Sequence, residues 1–291
     1  MILDYKTIDL FGRMLFETVT LKPPFKKPNP MTNEACFLYI IKGEYDSISE
    51  IEKIRVKANE SVLMKCGNYT ATMLPPQCEL TTPILNEYQA LAVHFHPDVL
   101  LKIYESKLPE FLKKTRPQES GMTRLKSDIL IEKYIDSILF YFENQNLVTE
   151  EILILKLKEI ILLLNQTKNA PAIRSILSNL FNPYSYSFRE VIEAHFYSNI
   201  TVEELAQLTN KSISTFKRDF KKIYTSSPAT FLREKKLEKS IELLSSTNLR
   251  ATDIAYDCGF TDVSHFSKTF KSKFGISPTN YKMTHIGKSL N

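Results

Sequence analysis

Hydrophobic positions change their period along the chain. Over residues 1–97 they form short runs of aliphatic, aromatic and β-branched residues, at 37–41, 60–64, 69–74 and 90–95. Gly43, Asn59, Gly67-Asn68 and Pro75-Pro76 separate these runs, a spacing that predicts the strands of a small β sandwich or barrel. From 99–114, 123–144 and 149–167 the period turns helical. The last of these segments is apolar nearly all round, so it must be covered on two sides. One side can pack on its own domain. The other needs a neighbouring helix or a second subunit, unless the helix is wholly internal. Asn169-Ala170-Pro171 and Phe181-Asn182-Pro183 then break the chain on either side of a short helix over 172–180. The expected division is a sensor and dimerisation domain over 1–170, a connector over 171–183 and a further domain over 184–291.

The last third contains an internal repeat. A shift of 50 lays Ser214-x-Phe216 on Ser264-x-Phe266, Phe220-Lys221 on Phe270-Lys271, and Ser227-Pro228 on Ser277-Pro278. Upstream, Glu204-Leu205-Ala206 falls on Asp253-Ile254-Ala255 at a shift of 49, so the copies differ by one residue inside a turn. Each copy reads as helix, tight turn, helix. In the first, Thr201 and Glu204 make a capping box, Asn210 suits a left-handed turn, and Ile213, Phe216, Phe220 and Ile223 are spaced as one buried stripe. In the second, Thr252 is the expected cap, Gly259 the turn, and Val263, Phe266 and Phe270 the buried positions. Between the copies, residues 229–245 predict one helix about 24 Å long. Its apolar positions are Leu232, Leu237, Ile241 and Leu244, and Lys236 is counted among its exposed charges. This is a doubled helix-turn-helix, in which each second helix can enter a DNA major groove.

The polar faces agree with that reading. Ser214, Thr215, Lys217, Arg218 and Lys221 lie away from the first phenylalanine stripe, and Ser264, His265, Ser267, Lys268 and Lys271 away from the second. Lys and Arg can donate to guanine edges or phosphates, and Ser and Thr to either. Charge is distributed accordingly. Of 38 basic and 33 acidic residues, 16 and 11 fall in residues 184–291, so the whole net charge of +5 sits there and the rest is neutral. A basic region beside a neutral one is either a polyanion-binding surface or only a solvated one, and charge alone leaves both open.

Residues 199–283 resemble the DNA-binding domain of the AraC/XylS family of bacterial transcription regulators. The resemblance rests on Asp253-Ile254-Ala255-Tyr256-Asp257-Cys258-Gly259-Phe260, on Ser264 to Lys271, and on Phe274-Gly275-Ile276-Ser277-Pro278-Thr279-Asn280-Tyr281. It implies base-contacting positions at Ser214, Lys217 and Arg218 in the first copy and at Val263, Ser264, Ser267 and Lys268 in the second. Val263 can at most touch a thymine methyl group and is left out of the candidate site. The strand-rich part resembles the cupin-like domain of many members. The resemblance also implies dimerisation through a helix pair, which makes Ile152, Leu155, Ile160 and Leu163 of the 149–167 helix the candidate contacts.

Composition removes the rival classes. Only 7 glycines are present and neither common glycine-rich phosphate loop occurs. No apolar run is long enough for a membrane span, and Asp4 and Asp9 stand where a secretory signal needs a basic flank. Cys36, Cys66, Cys78 and Cys258 are widely spaced, which fits a reduced, cytoplasmic setting without a disulfide or zinc framework. His94 and His96 share a strand face and could form a metal pair, but no third ligand is evident, so no metal or cofactor is expected. A cupin-type enzyme with a DNA-binding tail would need that metal triad. The expectation is therefore an α+β protein that is not an enzyme. Its N-terminal domain is β-rich and cupin-like with a helical dimerisation segment, and its C-terminal domain is all-α, with two helix-turn-helix units joined by a linker helix. It is expected to be an activator with duplex DNA, a second copy of itself, RNA polymerase and a small-molecule or protein effector as partners.

Overall fold

The computed structural model describes residues 1–75, 87–113, 121–181 and 186–286. Cys78, Pro76, Lys114 and the Asn182-Pro183 break lie outside the described residues. The chain divides into two compact units, Met1–Tyr186 and Ser187–Asn291.

The first unit is two antiparallel sheets with helices on one outer face. Its strands are β1 (Ile2–Leu10), β2 (Arg13–Leu21), β3 (Phe25–Pro28), β4 (Ala35–Lys42), β5 (Glu44–Ile48), β6 (Lys53–Lys57), β7 (Ser61–Met64), β8 (Thr70–Leu74), β9 (Tyr88–Phe95) and β10 (Met122–Leu125). They form a six-stranded sheet ordered β1-β2-β9-β4-β7-β10 and a four-stranded sheet ordered β3-β8-β5-β6. Alternation along β9 divides the unit into two cores. Ala90 and Ala92 face the layer between the sheets, with Leu38, Tyr45, Met64 and Tyr88. Leu91, Val93 and Phe95 face the helices.

Those helices are α1 (Pro97–Ile103), α2 (Glu110–Lys113), α3 (Ile129–Glu143), α4 (Glu150–Gln166) and α5 (Ala170–Ser178). Two expected helices are shorter than the periodicity predicts. The 99–114 segment breaks between α1 and α2, where Glu105 and Ser106 take positive φ of 48° and 61°. The 123–144 segment begins as strand β10, paired with β7, and helix α3 starts only at Asp128, whose carboxylate accepts from the Leu130 and Ile131 amides. Helix α4 matches its expected span, capped by Thr149. One face of α4 (Leu153, Leu157, Ile160, Ile161, Leu164) is buried in its own unit's core. Helix α5 is no free connector: Ile173, Ile176, Leu177 and Leu180 join the same core.

The second unit is helical: α6 (Phe188–Ala194), α7 (Val202–Leu208), α8 (Ile213–Tyr224), α9 (Pro228–Ser246), α10 (Ala251–Asp257), α11 (Val263–Phe274) and α12 (Pro278–Ile286). Helix α9, 19 residues and about 28 Å long, joins the two repeats. Phe231 near its start packs on Phe220 and Tyr224 of α8, while Leu237 and Leu244 enter the core of α10 and α11.

Candidate nucleic-acid interface

The two repeats close by the same hydrogen bonds. In the first, the Asn210 amide donates to the Gln207 carbonyl and the Lys211 amide to that of Ala206. In the second, the Gly259 amide donates to Tyr256 and that of Phe260 to Ala255. Asn210 and Gly259 take φ of 52° and 79°. The recognition helices also end alike, on left-handed Thr225 and Gly275, whose amides reach the carbonyls of Lys221 and Lys271.

Their beginnings differ. Thr201 and Glu204 form the expected capping box on α7. Thr252 does not cap α10: that helix starts one residue earlier, at Ala251, with Arg250 at the cap position and no side-chain cap bond. Arg250 instead pairs with Asp253, at 3.0 Å. The reason is register, because the shift of 49 that relates the first helices lays Thr201 on Arg250.

In α8 only Phe216 and Phe220 are fully buried, and Ile213 and Ile223 are largely exposed. Tyr224, four residues beyond Phe220, takes the last place in the stripe and packs on Phe220 and Phe231 with ring centroids 4.5 Å away. In α11 Phe266 and Phe270 are buried and Val263 only half-buried.

The polar faces are presented outward. Ser214, Lys217, Arg218 and Lys221 are exposed on α8, and Ser264, His265, Lys268 and Lys271 on α11. Thr215 and Ser267 are half-buried. The Thr215 hydroxyl accepts from the Ser212 cap at 2.9 Å, so only its own proton is left for a partner. Lys222, exposed beside Lys221, is a further cation that the sequence reading passed over. Asp219 sits among these cations, 3.1 Å from the Lys211 ammonium and 3.7 Å from Arg218. The hydrogen bond from Lys211 is the main reason its carboxyl is held below the usual range. Asp262 caps α11 by accepting from the Ser264 and His265 amides, and the His265 ring meets the edge of Phe260.

Lys236 is not an exposed charge of α9. It is half-buried and donates to the Gly259 carbonyl at 2.8 Å. Burial lowers its pKa. The linker helix is thereby bonded to the turn of the second repeat.

In the first unit, His94 lies between the sheets. Its Nδ1 is 3.2 Å from Glu34 Oε2, and its Nε2 is 3.7 Å from Glu17 Oε1. Burial works against the charged ring, but the two carboxylates outweigh it and push the pKa up to about 9. His96 lies parallel to it with centroids 6.2 Å apart, and its Nε2 meets the Met14 carbonyl at 2.9 Å. Among the described residues, no group of three His, Cys, Asp or Glu side chains is placed to hold a metal ion.

The geometry defines a two-unit protein whose C-terminal unit is a doubled helix-turn-helix of DNA-binding type. Comparison with known proteins agrees. A sequence model described as "Helix-turn-helix domain" matches residues 205–284, and one described as "ExsA N-terminal regulatory domain" matches residues 35–176. The chain belongs to the AraC/XylS family of transcription regulators. It is 25% identical over 125 residues to the HTH-type transcriptional regulator ExsA of Pseudomonas aeruginosa, a match covering 43% of this chain and 45% of that protein. It is 37% identical over 87 residues to the HTH-type transcriptional activator RhaS of an Enterobacter species, covering 30% and 31%. The matched stretches thus span less than half the length of these curated relatives. They are named as transcription regulators, not as enzymes. Among solved structures, fatty-acid-bound ToxT from Vibrio cholerae aligns over 94% of this chain and 96% of its own, at 14% identity and a TM-score of 0.37.

Proposed function

We propose that this protein binds specific duplex DNA through α8 and α11 and activates transcription, with an N-terminal unit that dimerises and senses an effector. The observation that carries the reading is the duplication. Two helices with buried Phe-x-x-x-Phe stripes each turn a Ser- and Lys-bearing face outward after an identically bonded turn. A single such face is an ordinary solvated surface, but two at fixed separation on one rod suit successive turns of a groove. Ser214, Thr215, Lys217, Arg218, Lys221, Ser264, His265, Ser267, Lys268 and Lys271 form the contact set. RNA polymerase is the partner an activator acts on, and the cytoplasm is where both are met. Among the described residues, no helix is long and apolar enough to cross a membrane.

Dimerisation is assigned to the outer face of α4. Ile160 does not belong to it, being fully buried in its own core. Leu155 is 66% exposed, and Leu162, which the sequence reading omitted, is 53% exposed one heptad further on. Ile152 and Leu163 are half-buried beside them. Two large apolar side chains on one exposed helical stripe suit a second copy.

The test is selection of bound duplexes from a random pool, followed by titration of wild type and of K217A, R218A and K268A. A base-reading residue should cost about 1–3 kcal/mol on the selected site and relax one position of it. A phosphate contact should weaken all duplexes alike and reduce the salt slope by about one. Unselective binding by the wild type, or wild-type affinity in all three folded variants, would overturn the proposal.

A further inference from the structure

Between the two sheets of the first unit lies a cavity of about 110 Å³. Its polar end holds Glu17, Glu34 and His94, and the rest is lined largely by apolar and aromatic groups, among them Leu38, Met64 and Tyr88. This deepens the effector-sensing reading above and rests on it.

Two features of the cavity call for a ligand. The first is charge. Two carboxylates, each about a fifth exposed, flank one imidazolium, so this inner cluster carries one uncompensated negative charge. Lys27 also borders the cavity, but its side chain is exposed on β3 and is satisfied by water. The Tyr5 hydroxyl donates to Glu17 Oε2 at 2.9 Å, which leaves both carboxylates with acceptor capacity to spare. The second feature is the hydroxyl of Tyr88. The residue is fully buried and lines the cavity, and its hydroxyl has no hydrogen-bond partner. A buried donor left unmade is costly, and it is a donor that an ammonium group cannot satisfy. The charge on Glu17 contributes to suppressing ionisation of Tyr88, which places the two within electrostatic reach.

We infer that the cavity binds a short amino alcohol, its ammonium donating to Glu17 and Glu34 and its oxygen accepting from Tyr88. Size sets the length. A dry cavity of about 150 Å³ accommodates benzene, so this one takes about five non-hydrogen atoms. The thioether and aromatic walls suit a short methylene stem and stabilise a nearby cation. An anion of the same length would face two carboxylates, and a diol would leave the negative charge uncompensated.

Calorimetry on the full chain tests this with 3-aminopropan-1-ol, propane-1,3-diol, 3-hydroxypropanoate and n-propylammonium as probes. The amino alcohol should give saturable heat, at least tenfold stronger than the diol or the acid. E34Q should lose at least tenfold for both amines. Y88F should weaken the amino alcohol and leave n-propylammonium unchanged, since that amine has no acceptor. On the unmutated protein, the imidazole resonances of His94 should shift with the amines and not with the diol, which keeps the test open if E34Q fails to fold. Equal or tighter binding of the acid or the diol, no binding of either amine, or amine binding indifferent to E34Q overturns the inference. Duplex binding measured on the same sample separates the two readings. Selective duplex binding without an amine response sinks this inference alone, and absent duplex binding sinks the regulator reading.

Discussion

Gly259 is the residue on which the second recognition helix depends. Its φ of 79° is one that side chains with a Cβ rarely adopt, and a Cβ there would collide with the Tyr197 carbonyl. Gly275 has a similar φ of 82°, but open space where its Cβ would be. Gly259→Ala should therefore cost more than about 3 kcal/mol, strain and collision together, and Gly275→Ala only about 1–2 kcal/mol. Chemical unfolding followed by circular dichroism compares them, and equal losses would refute the backbone contact as the cause. His94 supplies a prediction in pH. Its pKa stands at about 9, raised from 6.5, so its contribution to stability is complete below pH 6.5 and is lost as pH rises through 9. The groups facing it are Glu17, Glu34, Tyr5, Lys27, Cys36 and His96, from the neighbouring strands and from its own. The loss should be of order 3 kcal/mol. Urea midpoints between pH 6 and 10 should fall for wild type and stay flatter for His94→Gln; parallel curves would count against the ring.

At the scale of elements, the sequence was most legible where a pattern repeats. The doubled turns, the Thr201 capping box and helix α4 follow from spacing alone, because their positions are set by local periodicity and backbone bonding. Where a residue's fate depends on a distant neighbour, spacing is silent. Lys236 looks like any solvated lysine of α9 until the turn at Gly259 is seen beside it. Strands β5 and β6 escaped detection because they carry Glu44, Asp46, Lys53 and Arg55, charges satisfied across the pair by Arg55 on Asp46 at 2.5 Å. Of the interface residues, types and faces were readable, while the engagement of Thr215 with its own cap was not. The outer face of α4 was unreadable for another reason: nearly every position is apolar, so only the packing distinguishes Ile160 from Leu162. That distinction is testable. Leu155→Glu with Leu162→Glu should give a folded monomer by sedimentation, whereas Ile160→Glu should unfold the first unit by burying a charge. A dimer unaffected by the double substitution would remove α4 from the interface.

At the scale of the molecule, each unit has its own buried core, so each should fold when separated from the other. The cut must respect α5. A fragment of residues 1–181 keeps Ile173, Ile176, Leu177 and Leu180 in the first core, whereas one ending at 169 removes them and opens an apolar face. The longer fragment should be soluble, dimeric and without duplex affinity, and the shorter one should aggregate. A fragment of residues 187–291 holds both repeats and the rod between them, and should bind the selected duplex alone. Its affinity should fall below that of the full chain by the factor that tethering two copies supplies, through effective concentration and not through new contacts. Since the same phosphates are met by each copy, its salt slope should be about half that of the full chain on a two-site duplex and equal on a single-site duplex. Gel-shift titrations at several salt concentrations decide this. Equal affinity of fragment and full chain on the two-site duplex would dissociate the first unit from DNA binding, and duplex binding by residues 1–181 would reverse the division of labour.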